Sequence, residues 1–205
     1  MLPLRVGILP YTIMNNQIYV LIGIDRKSGD LTDFGGGRKQ NESFVNGALR
    51  ECREETEGVI AYYPNDIKCC LASSTRRTGV IFLPIKTTAT VMAGICHEIK
   101  KRLTERSEMS DVEWIPWTYL LKLVLHPDKS TRKIYERIRA TLVRDVNHKP
   151  NFFLQSLYNH FGCSSLAPPQ INTEGDFPKD IKKACQTQSA NLIYPQQPSR
   201  VALEM

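Results

Sequence analysis

Residues 35–58 read GGGRKQNESFVNGALRECREETEG, a glycine run followed by closely spaced acids. Glu51, Glu54 and Glu55 stand three and four apart on a helix-favouring run. At ~100° per residue they fall within an arc of about 100°. Val45, Ala48, Leu49 and Cys52 form the adjoining apolar stripe, which can be buried against a core. Three carboxylates beside a buried stripe repel one another unless a cation joins them. Hard divalent ions such as Mg²⁺ take oxygen ligands, so a metal-holding acid cluster is the chemistry this spacing suggests.

Such a cluster needs elements that position it. Gly35, Gly36 and Gly37 allow close backbone approach to a ligand. Ser43 is the expected helix N-cap. Gly47 is unfavourable inside a helix by ~1 kcal/mol relative to alanine. A close neighbouring loop and simple tolerance both explain it. Upstream, Arg5–Ile13 and Gln17–Ile24 are apolar, β-branched runs separated by Asn15-Asn16, which predicts a hairpin. Asp25–Asp30 reads as a polar turn and Leu31–Phe34 as a short extended piece. Downstream, strands are expected at Val59–Tyr63, Ile67–Ala72 and Gly79–Ile85, the last two around a polar loop, Ser73–Thr78. His97–Arg106 reads as a short basic helix or a polar loop. Residues 127–143 follow a helix pattern, with Ile134, Ile138 and Leu142 inside and Lys129, Arg132, Lys133, Arg137 and Arg139 outside. A short helix is expected over 151–161. Residues 164–205, rich in Ser, Pro, Gln and Asn, read as disordered or partner-dependent.

The glycine–glutamate stretch resembles the Nudix box, G-x5-E-x7-R-E-U-x-E-E-x-G-U, where U is aliphatic. Gly36 stands at the first glycine, Glu42 at the first glutamate, Arg50-Glu51 at RE and Glu54-Glu55 at EE. Two positions depart. Cys52 replaces the aliphatic residue, a small change for a buried site. Glu57 stands where the family has glycine, and Gly58 follows one place later. Because that glycine ends the helix in a left-handed conformation, the helix is expected to run one residue longer. An amphipathic surface helix with ion pairs such as Arg50–Glu54 is the ordinary alternative. It does not account for the glycine run, the spacing to Glu42 and the full acid set together. Asp33-Phe34-Gly35 also spells the kinase metal-binding tripeptide, but no glycine-rich phosphate loop, strand lysine or HRD loop precedes it.

The resemblance covers roughly residues 5–145. It implies an α/β fold: a Nudix-like α/β/α sandwich with a mixed β-sheet and the box as loop-helix-loop. The implied domain is residues 1–149, followed by a tail, 150–205. The implied activity is hydrolysis of a diphosphate linkage in a nucleoside diphosphate-linked substrate. Glu51, Glu54, Glu55 and the Gly35 carbonyl would hold Mg²⁺ or Mn²⁺, framed by Gly36, Glu42 and Gly58. Arg50 would orient the glutamates. A glutamate would take a proton from water, either a box acid such as Glu54 or a late acid. For the late acid Glu108 comes first, with Glu105 and Glu98 behind it. Arg38, Lys39, Arg76 and Arg77 are candidate phosphate contacts. For the last two, a pair of solvated loop arginines is an equal reading.

Composition sets further bounds. The 205 residues, 41% hydrophobic and 23% charged, suit one buried domain plus an appendage. No apolar run approaches the ~20 residues of a membrane span. The start lacks the pattern of a secretory signal, so a cytoplasmic protein, or host-cytoplasmic if viral, is expected. The six cysteines show no zinc spacing and read as free thiols. Of the 27 Lys and Arg, 23 lie in residues 1–150, as do 17 of the 21 Asp and Glu. A basic domain around an acidic helix suits a polyanionic substrate, though a lysine-rich solvated surface gives the same balance.

The segments LTDFGGGRKQNES and ALRECREET are similar to Nudix proteins of large DNA viruses, some of which are mRNA-decapping enzymes. The basic domain, Trp114 and Trp117 agree with capped RNA. The alternatives are a small-molecule hydrolase acting on dinucleoside polyphosphates, ADP-ribose, nucleoside triphosphates or diphosphoinositol phosphates, and a non-catalytic Nudix-fold binding module. The tail is a candidate docking segment for an unknown protein partner.

Overall fold

The computed structural model describes residues 4–64, 67, 70–148 and 150–163. Its first two strands, β1 (Arg5–Met14) and β2 (Gln17–Asp25), form the expected hairpin. Asn15 and Asn16 between them both take left-handed backbone, with φ of 51° and 59°. A two-residue turn of that kind matches the twist of the strands it joins, and asparagine tolerates it. β1 then changes partner along its length. Tyr11–Met14 pair with β2, while Arg5–Ile8 pair with β4 (Phe34–Gly37). β1 and β2 therefore diverge at one end of the sheet, where β2 is flanked by β3 (Leu31–Thr32) and β7 (Met109–Pro116).

β6 (Thr78–Pro84) runs parallel to β1 and carries β5 (Leu71–Ser74) antiparallel at its outer edge. The seven-stranded sheet is thus mixed. Alternate residues of its central strands feed two separate cores. Val6, Ile8, Leu21, Ile81 and Leu83 pack against α1 (Phe44–Glu55) and α2 (Ala89–Arg102). Leu9, Tyr11, Val20, Ile22 and Phe82 pack against α3 (Trp117–Leu125), α4 (Glu136–His148) and α5 (Pro150–Cys163). Two helices cover one face and three the other, giving an α/β sandwich. In α5, Phe153 and Leu157 are buried in the second core, and Tyr11 Oη donates to the Leu157 carbonyl at 2.8 Å. The composition-biased stretch 164–205, with its expected partner-binding role, lies outside the described residues.

Several elements differ from the sequence expectation. Residues 59–63 form no strand. Val59 and Ile60 are buried, but the Ile60 N–H turns back to Thr56 Oγ1 at 3.1 Å. The basic segment near 97 is only the end of α2, which begins at Ala89 behind a Thr88 cap. Its threonines and valine hide the start, because β-branched residues read poorly as helix. The helix expected over 127–143 begins at Glu136. Ahead of it, Ile134 pairs with Leu31 in a parallel bridge. Trp117 opens α3 and packs with Phe82 and Phe153, while Trp114 donates its indole N–H to the Met92 carbonyl at 3.0 Å. Both tryptophans are therefore engaged within the fold.

The exit of α1 is also a correction. The helix ends at Glu55 and does not run longer. Glu57 itself adopts left-handed backbone, with φ of 51°, followed by Gly58 at 75°. Two contacts hold this strained residue: Arg102 Nη1 donates to its carbonyl at 3.1 Å, and Ser107 Oγ donates to its carboxylate at 2.6 Å.

Candidate active site

Ser43 caps α1 as expected, its Oγ accepting from the Asn46 N–H at 3.1 Å. Gly47 needs its missing side chain. A Cβ there would meet Val6 Cγ2 at 2.9 Å and the Glu42 carboxylate at 3.0 Å. Close approach therefore explains it, and the helix lies directly over β1. A Cβ on Gly36 would strike the Glu51 carboxylate at 2.5 Å. The glycine run and the first acid of the helix are thus in contact.

Arg50 organises the outer side of this assembly. Its guanidinium donates to Glu42 Oε1 at 2.9 Å and Oε2 at 3.0 Å, to Glu51 at 2.7 Å, to Glu54 at 3.0 Å and to the Gly37 carbonyl at 3.0 Å. A planar fork of donors suits several acceptors at once. Glu42 also accepts from the Lys39 N–H at 2.9 Å. Hydrogen bonding from Arg50 holds the Glu42 carboxyl down at about 2, well below the usual range.

The inner side is different. Glu55 is partly buried, and its Oε2 is sealed from solvent with no hydrogen-bond partner. Burial pushes its carboxyl up to about 9, reinforced by Asp33 and Glu108 against the opposing pull of Arg5 and the Gly35 N–H. Arg5, buried at the start of β1, donates to both oxygens of Asp33 at 3.0 and 2.6 Å and to the Gly35 carbonyl at 2.7 Å. The Gly35 carbonyl thus already serves an arginine. Burial works against the Arg5 charge, and Asp33 more than offsets it, leaving the guanidinium pKa raised.

Glu55, Glu108, Arg5 and all three glycines line one cleft of about 460 Å³. It opens where β1 and β2 diverge. Its far wall is made by Asp25, Ser28, Asp30, Tyr135 and Arg137. Glu108 therefore faces the same space as Glu55, whereas Glu98 is paired with Arg102 at 2.9 Å and Glu105 is exposed outside the cleft. Glu54 points to the other side of α1, beside Arg53, Tyr62 and Tyr63.

The expected phosphate contacts are not gathered there. Arg38 donates to the Glu42 carbonyl, and Lys39 is exposed outside the cleft. Arg76 and Arg77 are exposed in the β5–β6 turn; the Arg77 carbonyl accepts from the Arg5 N–H at 2.9 Å. Among the described residues, no three His, Cys, Asp or Glu already converge as a metal set. No described helix is long and apolar enough to cross a membrane.

Arg5, Asp33, Tyr135 and Arg137 were not legible as site residues. The signal for the first pair was a charge at each of two apolar extended runs, RVGILPYTI and LTDF. Buried charges of that sort have to pair. Tyr135 and Arg137 carried no such signal, because the 127–143 pattern put that arginine on a solvent face.

No protein-family model matches the sequence, and no curated protein matches it. Solved structures similar to the chain include the C. elegans Ap4A hydrolase, at 14% identity and TM-score 0.40, covering 72% of this chain and 98% of that one. The Nudix domain of Shewanella oneidensis NrtR, complexed with ADP ribose, is similar at 16% identity and TM-score 0.41, with coverage of 74% and 90%. A mutT/nudix family protein from Listeria innocua is similar at 14% identity and TM-score 0.44, with coverage of 75% and 99%. At these identities and TM-scores, the residues of the site and not the likenesses carry a functional reading.

Proposed function

We propose that this protein is a Nudix hydrolase, a metal-dependent enzyme that cleaves a diphosphate linkage in a nucleoside diphosphate-linked substrate. The observation that carries this reading is the packing of the box residues. Gly36 touches Glu51, Arg50 ties Glu42, Glu51 and Glu54 to Gly37, and Glu55 lines the cleft with one carboxylate oxygen buried and unpartnered. A surface helix with ordinary ion pairs has no reason to bury a carboxylate oxygen without a partner.

That orphaned carboxylate oxygen fits a cation. Glu55 and Glu108 share the cleft, Glu51 lies against the glycine run, and Glu54 follows one turn later on α1. All are hard oxygen donors of the type Mg²⁺ and Mn²⁺ take. When bound, such an ion polarises the diphosphate and makes water a stronger nucleophile at neutral pH. The protein's own part is positional. Arg50 holds Glu51 and Glu54 in register with the loop, and Arg5 fixes the Gly35 carbonyl. Glu108, exposed at the cleft edge with no hydrogen bond to its carboxylate among the described residues, is placed to accept a proton from water.

Capped RNA is one substrate this reading admits, and the small nucleotides are another. The test is incubation with Mg²⁺ or Mn²⁺ and two substrate sets, cap-labelled RNA and a nucleotide panel, with Glu54→Gln alongside. Metal-dependent release of a nucleotide product by the wild type alone supports a hydrolase, and the set that turns over names the substrate. Equal turnover by Glu54→Gln removes the mechanism. No turnover of either set by folded, metal-bound protein leaves a Nudix-fold binding module.

A further inference from the structure

We propose that Arg5 is the resident cation of the Gly35 carbonyl, so that a divalent ion enters this cleft on carboxylates and not on that oxygen. Arg5 is in this sense a positioning residue. The inference rests on the hydrolase reading for the presence of an ion, but its argument comes from β1 and β4.

The Arg5 guanidinium holds three oxygens. Its Nη2 donates to the Gly35 carbonyl at 2.7 Å and to Asp33 Oδ1 at 2.6 Å, and its Nη1 donates to Asp33 Oδ2 at 3.0 Å. The resemblance to the Nudix box implies a metal at that same carbonyl. A guanidinium and a divalent ion on one oxygen stand close together, and like charges repel strongly at such range.

Arg5 does not yield the place readily. Asp33 is wholly buried, and withdrawing its counter-ion leaves a bare charge away from water. The guanidinium also lies over the Tyr135 ring, 5.4 Å from its centre. The Tyr135 backbone is pinned in turn, its N–H donating to the Leu31 carbonyl at 2.8 Å.

The strands make room for this pair. Gly7 and Gly35 stand opposite each other where β1 pairs with β4. A Cβ on Gly7 would meet Asp33 Oδ2 at 2.2 Å, and one on Gly35 would meet Gly7 Cα and the Val6 carbonyl oxygen at 2.5 Å. Neither glycine takes left-handed backbone, so what they supply is space. The ion pair is therefore built into the sheet beneath the glycine run. What is left for an ion is carboxylate: Glu55 keeps an unpartnered oxygen, and Glu108 lines the same cleft.

The experiment is a crystal structure of the full chain grown with Mn²⁺, the ion being located by its anomalous scattering. In wild type Mn²⁺ is expected on carboxylates, with Arg5 still bonded to the Gly35 carbonyl. Arg5→Met combined with Asp33→Asn removes both charges of the pair and opens that oxygen, so Mn²⁺ should shift onto it. Mn²⁺ on the Gly35 carbonyl in wild type overturns the inference. So does wild type that binds no Mn²⁺ in solution by isothermal titration, or a folded double variant whose ion stays off the carbonyl. If the double variant does not fold, the wild-type structure still decides. Mn²⁺ on the carbonyl of a wild type that hydrolyses its substrate removes this inference and leaves the hydrolase reading. Mn²⁺ on carboxylates alone, in a protein that turns over neither substrate set, does the reverse.

Discussion

Arg5 and Arg50 reach the same glycine run from opposite sides, yet they work in different media. Arg5 donates to the Gly35 carbonyl from a buried position, with a wholly buried Asp33 as its counter-ion. Arg50 donates to the Gly37 carbonyl from a partly buried position, its side chain 19% exposed, with three carboxylates around it, of which Glu54 is open to water. Charge that water screens is cheap to rearrange, and charge held away from water is not. On the hydrolase reading proposed above, Glu51 and Glu54 would leave this network for an incoming cation without endangering the fold. The inner pair is structural, and Glu55 beside it is left with one carboxylate oxygen unpartnered.

The largest effect should come from separating those two arginines by mutation. Arg5→Met strands the buried Asp33 charge and is expected to destabilise by about 3–5 kcal/mol. Arg50→Met, whose partners Glu42 and Glu51 are partly buried and Glu54 exposed, should cost less, about 1–2 kcal/mol, while losing most activity. Adding Asp33→Asn to Arg5→Met removes the stranded charge and should regain a large part of the loss. Urea unfolding of the three variants measures all of this. Similar costs for Arg5→Met and Arg50→Met would erase the distinction between the two sides.

Next in size is Glu55→Gln, which keeps the shape of the side chain and removes its charge. Turnover should fall by about 100-fold or more. Metal affinity, read by isothermal titration, should fall with it. Near-normal metal binding by Glu55→Gln would mean the orphaned oxygen is not where a cation sits.

The pH dependence of stability should have opposite signs on the two sides. Glu55, raised to about 9, keeps its proton longer in the folded than in the unfolded state. Its contribution therefore turns unfavourable as pH rises from about 4.5 to about 9. Metal-free wild type should lose Tm relative to Glu55→Gln across that window and run level with it above. Glu42, depressed to about 2, does the reverse. Its contribution is present above about pH 4.5 and fades as pH falls toward 2, so Glu42→Gln should converge with wild type only in acid. Melting curves in chelator-treated buffers check both. A Tm difference between Glu55→Gln and wild type that does not change with pH would place Glu55 in water, not in the cleft wall.

The outer network was legible because Arg50, Glu51 and Glu54 are close in sequence and obey a helix period. Glu42 lies ahead of α1, and the box that the stretch resembles is what singled it out. The inner network was not legible, since Arg5 and Asp33 meet only when β1 pairs with β4, 28 positions apart. Arg137 is harder still. Its segment is pinned to β3 by backbone bonds from Leu31 and Tyr135, and backbone pairing leaves no trace in side-chain type. The strands followed the same rule. The hairpin with its Asn15-Asn16 turn is local and was readable, while α3 was missed and only the basic end of α2 was read, as a short helix or a polar loop.

The smallest effect tests the one departure that changed the helix exit. Glu57 occupies left-handed backbone that disfavours any residue with a Cβ by about 1 kcal/mol. The bond from Ser107 Oγ to its carboxylate, at 2.6 Å, contributes a comparable amount in the other direction, about 1 kcal/mol. Glu57→Gly relieves the strain and loses the bond, so it should fall within about 0.5 kcal/mol of wild type. Glu57→Ala keeps the strain and loses the bond, and should cost about 1 kcal/mol. Both should leave turnover intact, because Glu57 does not line the cleft with Glu55 and Glu108. If Glu57→Gly is markedly more stable than wild type, the Ser107 contact contributes nothing and the glutamate is simply tolerated. If it is markedly less stable, that contact ties the end of α1 to the loop before β7. The same loop carries Glu108, so weaker turnover would accompany the lost stability, and the outer and inner sides of the helix would be coupled through its last turn.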